Sequence, residues 1–256
     1  MKKRLFAIAL SLCMTLSLLP TAAFAAGGEA NTGTSSSATV AGNLNEQLKT
    51  TNVLNLTQNV YEDVKIPAGK KVTLDLKGFT LTGAKGAAIT VENGAELTIV
   101  GDGMVTPYHS DWDVYSDIVN NGKVTIKGGT FAYEVPKTPD NKTWNVYGNI
   151  VNSGTVTIEG GEFSGKENTF KNNSGTITIT GGTFDMAPSF IAESYGGLKK
   201  DGKFEVLKKA TATFEFEDGL NLSLKPDNKT WNVYVGATFA DAGYTEFPTL
   251  VDPDYV

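Results

Sequence analysis

The chain has 256 residues, 20% of them charged, with 28 acids against 22 bases, one histidine and one cysteine. A formal net charge of −6 argues against nucleic acid or an anionic membrane as partner, since both repel an acidic protein. Cys13 and Arg4, the only cysteine and the only arginine, stand in the first 25 residues, so no disulfide, thiolate metal site or guanidinium clamp is available beyond them.

Residues 1–25 read as a secretory signal peptide. Lys2, Lys3 and Arg4 precede an apolar run, and Ala23, Phe24 and Ala25 supply the small-residue cleavage site. Leu12 ahead of Cys13 is not the small residue that a lipoprotein signal needs there. Loss of the three positive charges would move the net charge from −6 to −9. No later stretch approaches the ~20 apolar residues of a membrane-crossing helix. Residues 26–43, AGGEANTGTSSSATVAGN, have too little apolar surface to order themselves and read as a flexible linker. Leu44 and Leu48 are spaced for one or two turns of helix capping the segment C-terminal to them.

From residue 69 an internal repeat begins. GKKVTLDL, GAELTIVG, GKVTIKGGTF, GTVTIEGGEF and GTITITGGTF start at Gly69, Gly94, Gly122, Gly154 and Gly175, at intervals of 25, 28, 32 and 21 residues by subtraction. Each holds an apolar, threonine, apolar triplet centred on Thr73, Thr98, Thr125, Thr157 or Thr178. Period two predicts a strand with β-branched residues on one face and hydroxyls on the other. Met104, Phe131, Phe163 and Phe184 form a second apolar column. Asn120, Asn152 and Asn173 form a polar one, in Asn-Asn-Gly or Asn-Ser-Gly turns expected to need positive φ. Each unit thus reads strand, corner, strand, corner.

Unequal units that keep the same strands suit a coil whose insertions bulge from a corner, a parallel β-helix over 44–208, with a strand-rich extension at 209–256. LDLKGFTLTG, NGAELTIVGDG, NSGTVTIEGGEF and FIAESYGGLKKDGKFEV, covering about residues 50 to 208, resemble the secreted right-handed parallel β-helix proteins of Gram-positive bacteria in the pectin-lyase-like fold group. That resemblance implies an all-β solenoid with an extracellular, adhesin-like role and no defined chemistry. Lys77 departs from it, because the LDLKG phrase more often has asparagine there. FIAESYGGLKKDGKFEV is expected to close the coil, its lysines discouraging further edge pairing. The residues beyond it carry no recognised sorting motif or wall-binding module, so cell-surface attachment is not expected to be encoded there, and a released chain or a fragment are the two readings. Export itself is the expectation from residues 1–25.

Enzymatic readings find few parts. A lyase of acidic polysaccharide wants calcium and a strong base, often arginine; a hydrolase wants clustered aspartates and usually a histidine. His109 is the only histidine, and the NNG and NSG triplets lack an adjacent aspartate. DWDVYSD gathers Asp111, Asp113 and Asp117, but without the glycine and distal glutamate of a calcium loop it reads as a solvated loop. No catalytic residue, metal site or cofactor is assigned. Outward threonines are also the device of ice-binding solenoids, which need two adjacent columns; on the Asp75, Val100, Lys127, Glu159, Thr180 side only the last unit offers Thr-Ile-Thr.

The nonapeptide PDNKTWNVY occurs at 139–147 and again at 226–234. Its first copy enters TWNVYGNIVNSG, which aligns with DWDVYSDIVNNG one unit earlier, so Trp112 matches Trp144 and Tyr115 matches Tyr147. Aromatic rings repeated along an extended surface are suited to stacking on sugar rings. These four residues are the candidate carbohydrate site, at the corner where insertions 106–117 and 132–147 emerge. Turn chemistry in Pro-Asp-Asn-Lys and strand chemistry in Thr-Trp-Asn-Val-Tyr offer a purely structural account of the same letters. The expected function is extracellular binding or adhesion toward a glycan or host-surface component; the alternatives are a polysaccharide lyase or hydrolase, and a structural spacer.

Overall fold

The computed structural model describes residues 40–41, 43–108, 115–132, 148–165, 170–213 and 230–244. The segment 1–25 expected to be a signal peptide, most of the expected linker 26–43 and much of 209–256 lie outside these residues.

Each threonine-centred triplet forms the strand that its alternation predicts. Lys71–Asp75, Glu96–Val100, Lys123–Ile126, Thr155–Ile158 and Thr176–Ile179 lie parallel and adjacent in one sheet, with Val53–Asn55 at its leading edge. Thr73, Thr98, Thr125, Thr157 and Thr178 are register partners in sequence. They point outward and half-buried, while Val72, Leu74, Leu97, Ile99, Val124, Ile126, Val156, Ile158, Ile177 and Ile179 are buried. Burial of each such side chain contributes about 1.5 to 3 kcal/mol.

From this first sheet the chain passes to a second sheet of ten described strands and a third of five, then returns to the first one strand further along. All pairings in the first and third sheets are parallel. The protein is therefore all-β in its described core, built from stacked parallel sheets, an arrangement compatible with a parallel β-helix. The third sheet is an addition to the two strands per unit that the sequence suggests. It consists of three-residue strands such as Ile89–Val91, Ile118–Asn120 and Ile150–Asn152, too short to show a period.

Phe131, Phe163 and Phe184 stack in the interior, with ring centroids 4.9 and 5.0 Å apart and planes within 10° of parallel. Met104 does not join them. Its partner is Thr130, it is 36% exposed, and Val105 takes the inward place opposite Phe131. The cause is corner length: Val105 lies six residues beyond Ile99, whereas Phe131 lies five beyond Ile126, and one extra residue exchanges the inward and outward faces.

The asparagine column is also shifted at its last member. Asn120 Nδ2 donates to Asn152 Oδ1 at 2.8 Å, and Asn152 Nδ2 donates to Asn172 Oδ1, not to Asn173, at 2.9 Å. Asn120 and Asn152 are buried, and each Oδ1 accepts the N–H of the glycine two residues on. Such a ladder satisfies buried amides from turn to turn. Gly122, Gly154 and Gly175 do not adopt positive φ. A Cβ on Gly154 would overlap the carbonyl oxygen of Gly122 on the turn before, and a Cβ on Gly175 would overlap that of Gly154. Glycine is there for close stacking of backbone on backbone.

Both ends of the stack are covered. The helix Leu44–Gln47 buries Leu44, and Leu48 follows it into the core. Its first N–H groups are held from a distance: Glu62 accepts from Leu44 N at 2.8 Å and from Asn45 N at 3.0 Å, which caps the orphan donors and sets a negative charge at the positive end of the helix. At the other end Tyr195–Lys200 and Lys203–Thr213 form an antiparallel hairpin. Phe204 pairs antiparallel with Phe184, and Ile179 is bracketed by hydrogen bonds to Phe190 and Ala192.

Lys77, the departure from the LDLKG pattern, has φ 51° and precedes Gly78 at φ 83°, with Phe79 N–H donating to Leu76 O at 2.8 Å. Two successive positive φ values make this a turn that favours Asn-Gly. Left-handed backbone costs a lysine about 1 kcal/mol. The Lys77–Asp75 ion pair, 2.7 Å and 56% exposed at the lysine, returns less than ~1 kcal/mol. Lys77→Asn is expected to raise the melting temperature by about 2 °C; a lower temperature in a thermal melt would contradict the turn assignment.

Candidate functional site

The two long insertions are excursions between the second and third sheets. The first leaves after Met104–Thr106 and returns at Ile118–Asn120; the second leaves after Thr130–Ala132 and returns at Ile150–Asn152. Met104 and Val105 pair with Thr130 and Phe131, and Ile118 pairs with Ile150. Both roots are thus stacked one strand spacing apart, about 4.8 Å.

Trp112, Trp144 and Tyr147, together with His109, Asp111 and Asp113, lie outside the described residues. Tyr115 lies within them. It is half-buried beside Gly86, and its ring centroid is 6.4 Å from that of Tyr108 with the planes at 39°. Tyr108 is held where the first excursion departs, its N–H donating to Gly86 O at 2.9 Å. No sequence signal marks Tyr108, because it stands outside the repeated DWDVYSD and TWNVYGN letters.

Asp117 corrects the reading of DWDVYSD as a solvated loop. It is fully buried, as are its neighbours Ser116 and Ile118 and its stacking partner Asn149. The alignment of the two sister segments explains this: Asp117 occupies the position before the inward Ile118, where Asn149 precedes Ile150. Asn149 Nδ2 donates to Asp117 Oδ2 at 2.9 Å and to Phe131 O at 3.0 Å. Burial pushes the Asp117 carboxyl well above the ordinary aspartate range, opposed by the Asn149 hydrogen bond. Ser116 Oγ, Asp117 Oδ1 and Asn149 Oδ1 have no hydrogen-bond partner.

The outward face of the first sheet holds more threonine than the Asp75 side alone suggests. Thr155 partners Thr176 as Thr157 partners Thr178, so two turns, not one, carry Thr-apolar-Thr. Thr155 and Thr176 stand on the other side of the threonine column from Asp75. The array stops there, because the same outer column continues as Lys123, Glu96 and Lys71. Lys71 pairs with Glu96 at 2.8 Å and Lys127 with Glu159 at 3.4 Å, all well exposed. The Lys71 ammonium, hydrogen-bonded to Glu96, holds that carboxyl below its ordinary range. This face is a mixed charge and hydroxyl surface, without two full threonine columns.

The second nonapeptide copy supplies Thr230–Tyr234, a strand antiparallel to Lys209–Thr213. Trp231 and Val233 share one side of that ribbon with Ala212 and Ala210. Asn232 and Tyr234 share the other with Thr211 and Lys209, and Tyr234 packs close against Gly196. This copy therefore stands in an antiparallel edge, away from the excursion roots. Among the described residues no group of three or more histidine, cysteine, aspartate or glutamate side chains is placed to hold a metal, and no helix is long and apolar enough to cross a membrane. Comparison with protein-family models, curated proteins and solved structures gives no match to the chain.

Proposed function

We propose that this protein is a secreted right-handed parallel β-helix of the pectin-lyase-like kind that binds an extracellular glycan, on a host or cell surface, without turning it over. The observation that carries this reading is the stacking of the two excursion roots, Ile118 on Ile150 and Val105 beside Phe131. Sister segments with matching aromatics, Trp112 with Trp144 and Tyr115 with Tyr147, leave from and return to equivalent places on adjacent turns. Aromatics at matching sequence positions of two such segments would suit apolar stacking on successive sugars. The parallel pairings and the rotation through three sheets support the solenoid; the charged N-terminus, apolar run and Ala25 site support export. The burial of Asp117 supports the non-catalytic reading, since it withdraws one of the three DWDVYSD carboxylates from any substrate.

The test is a glycan array on the wild type and on Trp112→Ala, Trp144→Ala and Trp231→Ala, beside a reducing-end assay on acidic polysaccharides. Trp112→Ala and Trp144→Ala are each expected to weaken binding about tenfold, equivalent to about 1.4 kcal/mol, with no release of reducing ends. Undiminished binding by Trp112→Ala and Trp144→Ala would remove the aromatic site; Trp231→Ala, in the antiparallel edge, is the control expected to bind as wild type. Turnover would favour a lyase or hydrolase using the remaining acids of the excursions, and silence in both assays would leave a structural spacer.

A further inference from the structure

The buried polar group at the excursion roots has an incomplete set of hydrogen bonds. One amide, Asn149 Nδ2, bonds both Asp117 Oδ2 and Phe131 O, so it joins the end of the first excursion to the start and end of the second. One oxygen is left over on each partner, Asp117 Oδ1 and Asn149 Oδ1, and neither has a hydrogen-bond partner. Were Asp117 ionised, both leftover atoms would be acceptors with nothing to accept, and a full charge would sit where the side chain is 0% exposed. One proton on Asp117 Oδ1 removes all three faults. The charge would disappear and the acid would acquire an O–H donor. That donor, turned toward Asn149 Oδ1 across the pair already joined by Asn149 Nδ2 and Asp117 Oδ2, would supply what the amide oxygen lacks.

We propose that Asp117 and Asn149 form a cyclic acid–amide pair whose proton latches the roots of the two excursions together, and that the latch is released when this proton leaves. The latch is independent of the glycan reading, because it concerns how the corner is held and not what it binds. Among the described residues, the groups stacked on Asp117 are uncharged: Ala88 on the turn before, Asn149 on the turn after, the Phe131 carbonyl from the second sheet, and Ser116 beside it. Among the described residues, then, desolvation of Asp117 is opposed by the Asn149 hydrogen bond and by no cation, which agrees with the upward displacement of its titration.

The pH dependence has a definite sign. An unfolded aspartate loses its proton near pH 4, about its ordinary value, whereas the folded pair holds it to higher pH. Below about pH 4 folded and unfolded chains are equally protonated at this group; above it the folded chain carries one proton more, and stability falls as pH rises until the folded pair ionises. The expected contribution is a shift of up to about tenfold in the unfolding constant per pH unit across that window.

Infrared difference spectra of the full chain, wild type against Asp117→Asn, should contain the carbonyl stretch of a protonated acid at neutral pH; a carboxylate pair of bands instead would overturn the proposal. Asp117→Asn replaces the O–H by an N–H and keeps both bonds. It should therefore fold, with its denaturant midpoint losing one proton's worth of pH dependence above about pH 4. A profile parallel to wild type would count against the pair. For the latch, the hydrogen-exchange protection factor of the Ile118 amide, which donates to Asn149 O, should drop about tenfold or more as the wild-type acid titrates and stay level in Asp117→Asn. Equal behaviour in the two proteins would refute the release. Aspartate-labelled wild type supplies the infrared signature by itself if the variant does not fold.

Discussion

Ile158→Asp is expected to abolish the cooperative unfolding transition. Ile158 is 0% exposed and stands in register between Ile126 and Ile179, both equally enclosed. An ionised carboxylate cannot enter that column without a partner, so the new side chain must either take up a proton against its ordinary titration and bury an unpartnered acid or force its turn open. Either costs roughly several kcal/mol against the ~5 to 15 kcal/mol that a domain has in total. In a stacked fold each turn is held mainly by its two neighbours, so removal of one interior turn disconnects those on either side. Thr157→Asp, one residue away on the outward face, should unfold at nearly the wild-type urea concentration. Equal midpoints for Ile158→Asp and wild type would place the aliphatic column outside.

Gly154→Ala should destabilise the protein by about 3 kcal/mol through overpacking. A Cβ there would meet the backbone of Asn121 and Gly122 at 2.8 and 2.9 Å, as well as the Gly122 carbonyl oxygen. Backbone cannot swing aside as a side chain can, so the turns must separate, and the Asn120–Asn152 ladder would be stretched with them. Gly69→Ala is the informative control. Gly69 has φ 79° with nothing within 4 Å of an added Cβ, so its cost is the left-handed conformation alone, about 1 kcal/mol. Urea titrations of the two variants check the ordering. Similar midpoints would mean that conformation, not stacking, explains the glycines at the head of each unit.

Much of the corner was hidden in the sequence for a physical reason that recurs at each discrepancy. Met104 and Val105 exchanged roles because one extra corner residue alters which side chain enters the core. Asn172 displaced Asn173 from the ladder because its turn to Gly175 is one residue longer than the turn from Asn152 to Gly154. Asp117 looked like loop chemistry because it follows Asp111 and Asp113 in sequence, yet its neighbour in space is Asn149, 32 residues away. The turn lengths that decide these placements leave little trace in hydrophobic alternation.

The alternation of aliphatic and threonine, repeated from Val72 to Ile179, by itself determined the strands of the first sheet, their inward and outward faces and their mutual register. Those properties depend on the two-residue period of an extended chain and on the free energy of burying one side of it, both readable locally. Tertiary structure alone decided the third sheet, the place of Asn172 at the end of the asparagine ladder and the enclosure of Asp117. Each of these depends on which residues of successive turns come to lie one strand spacing apart, and corner lengths, not local preference, set that.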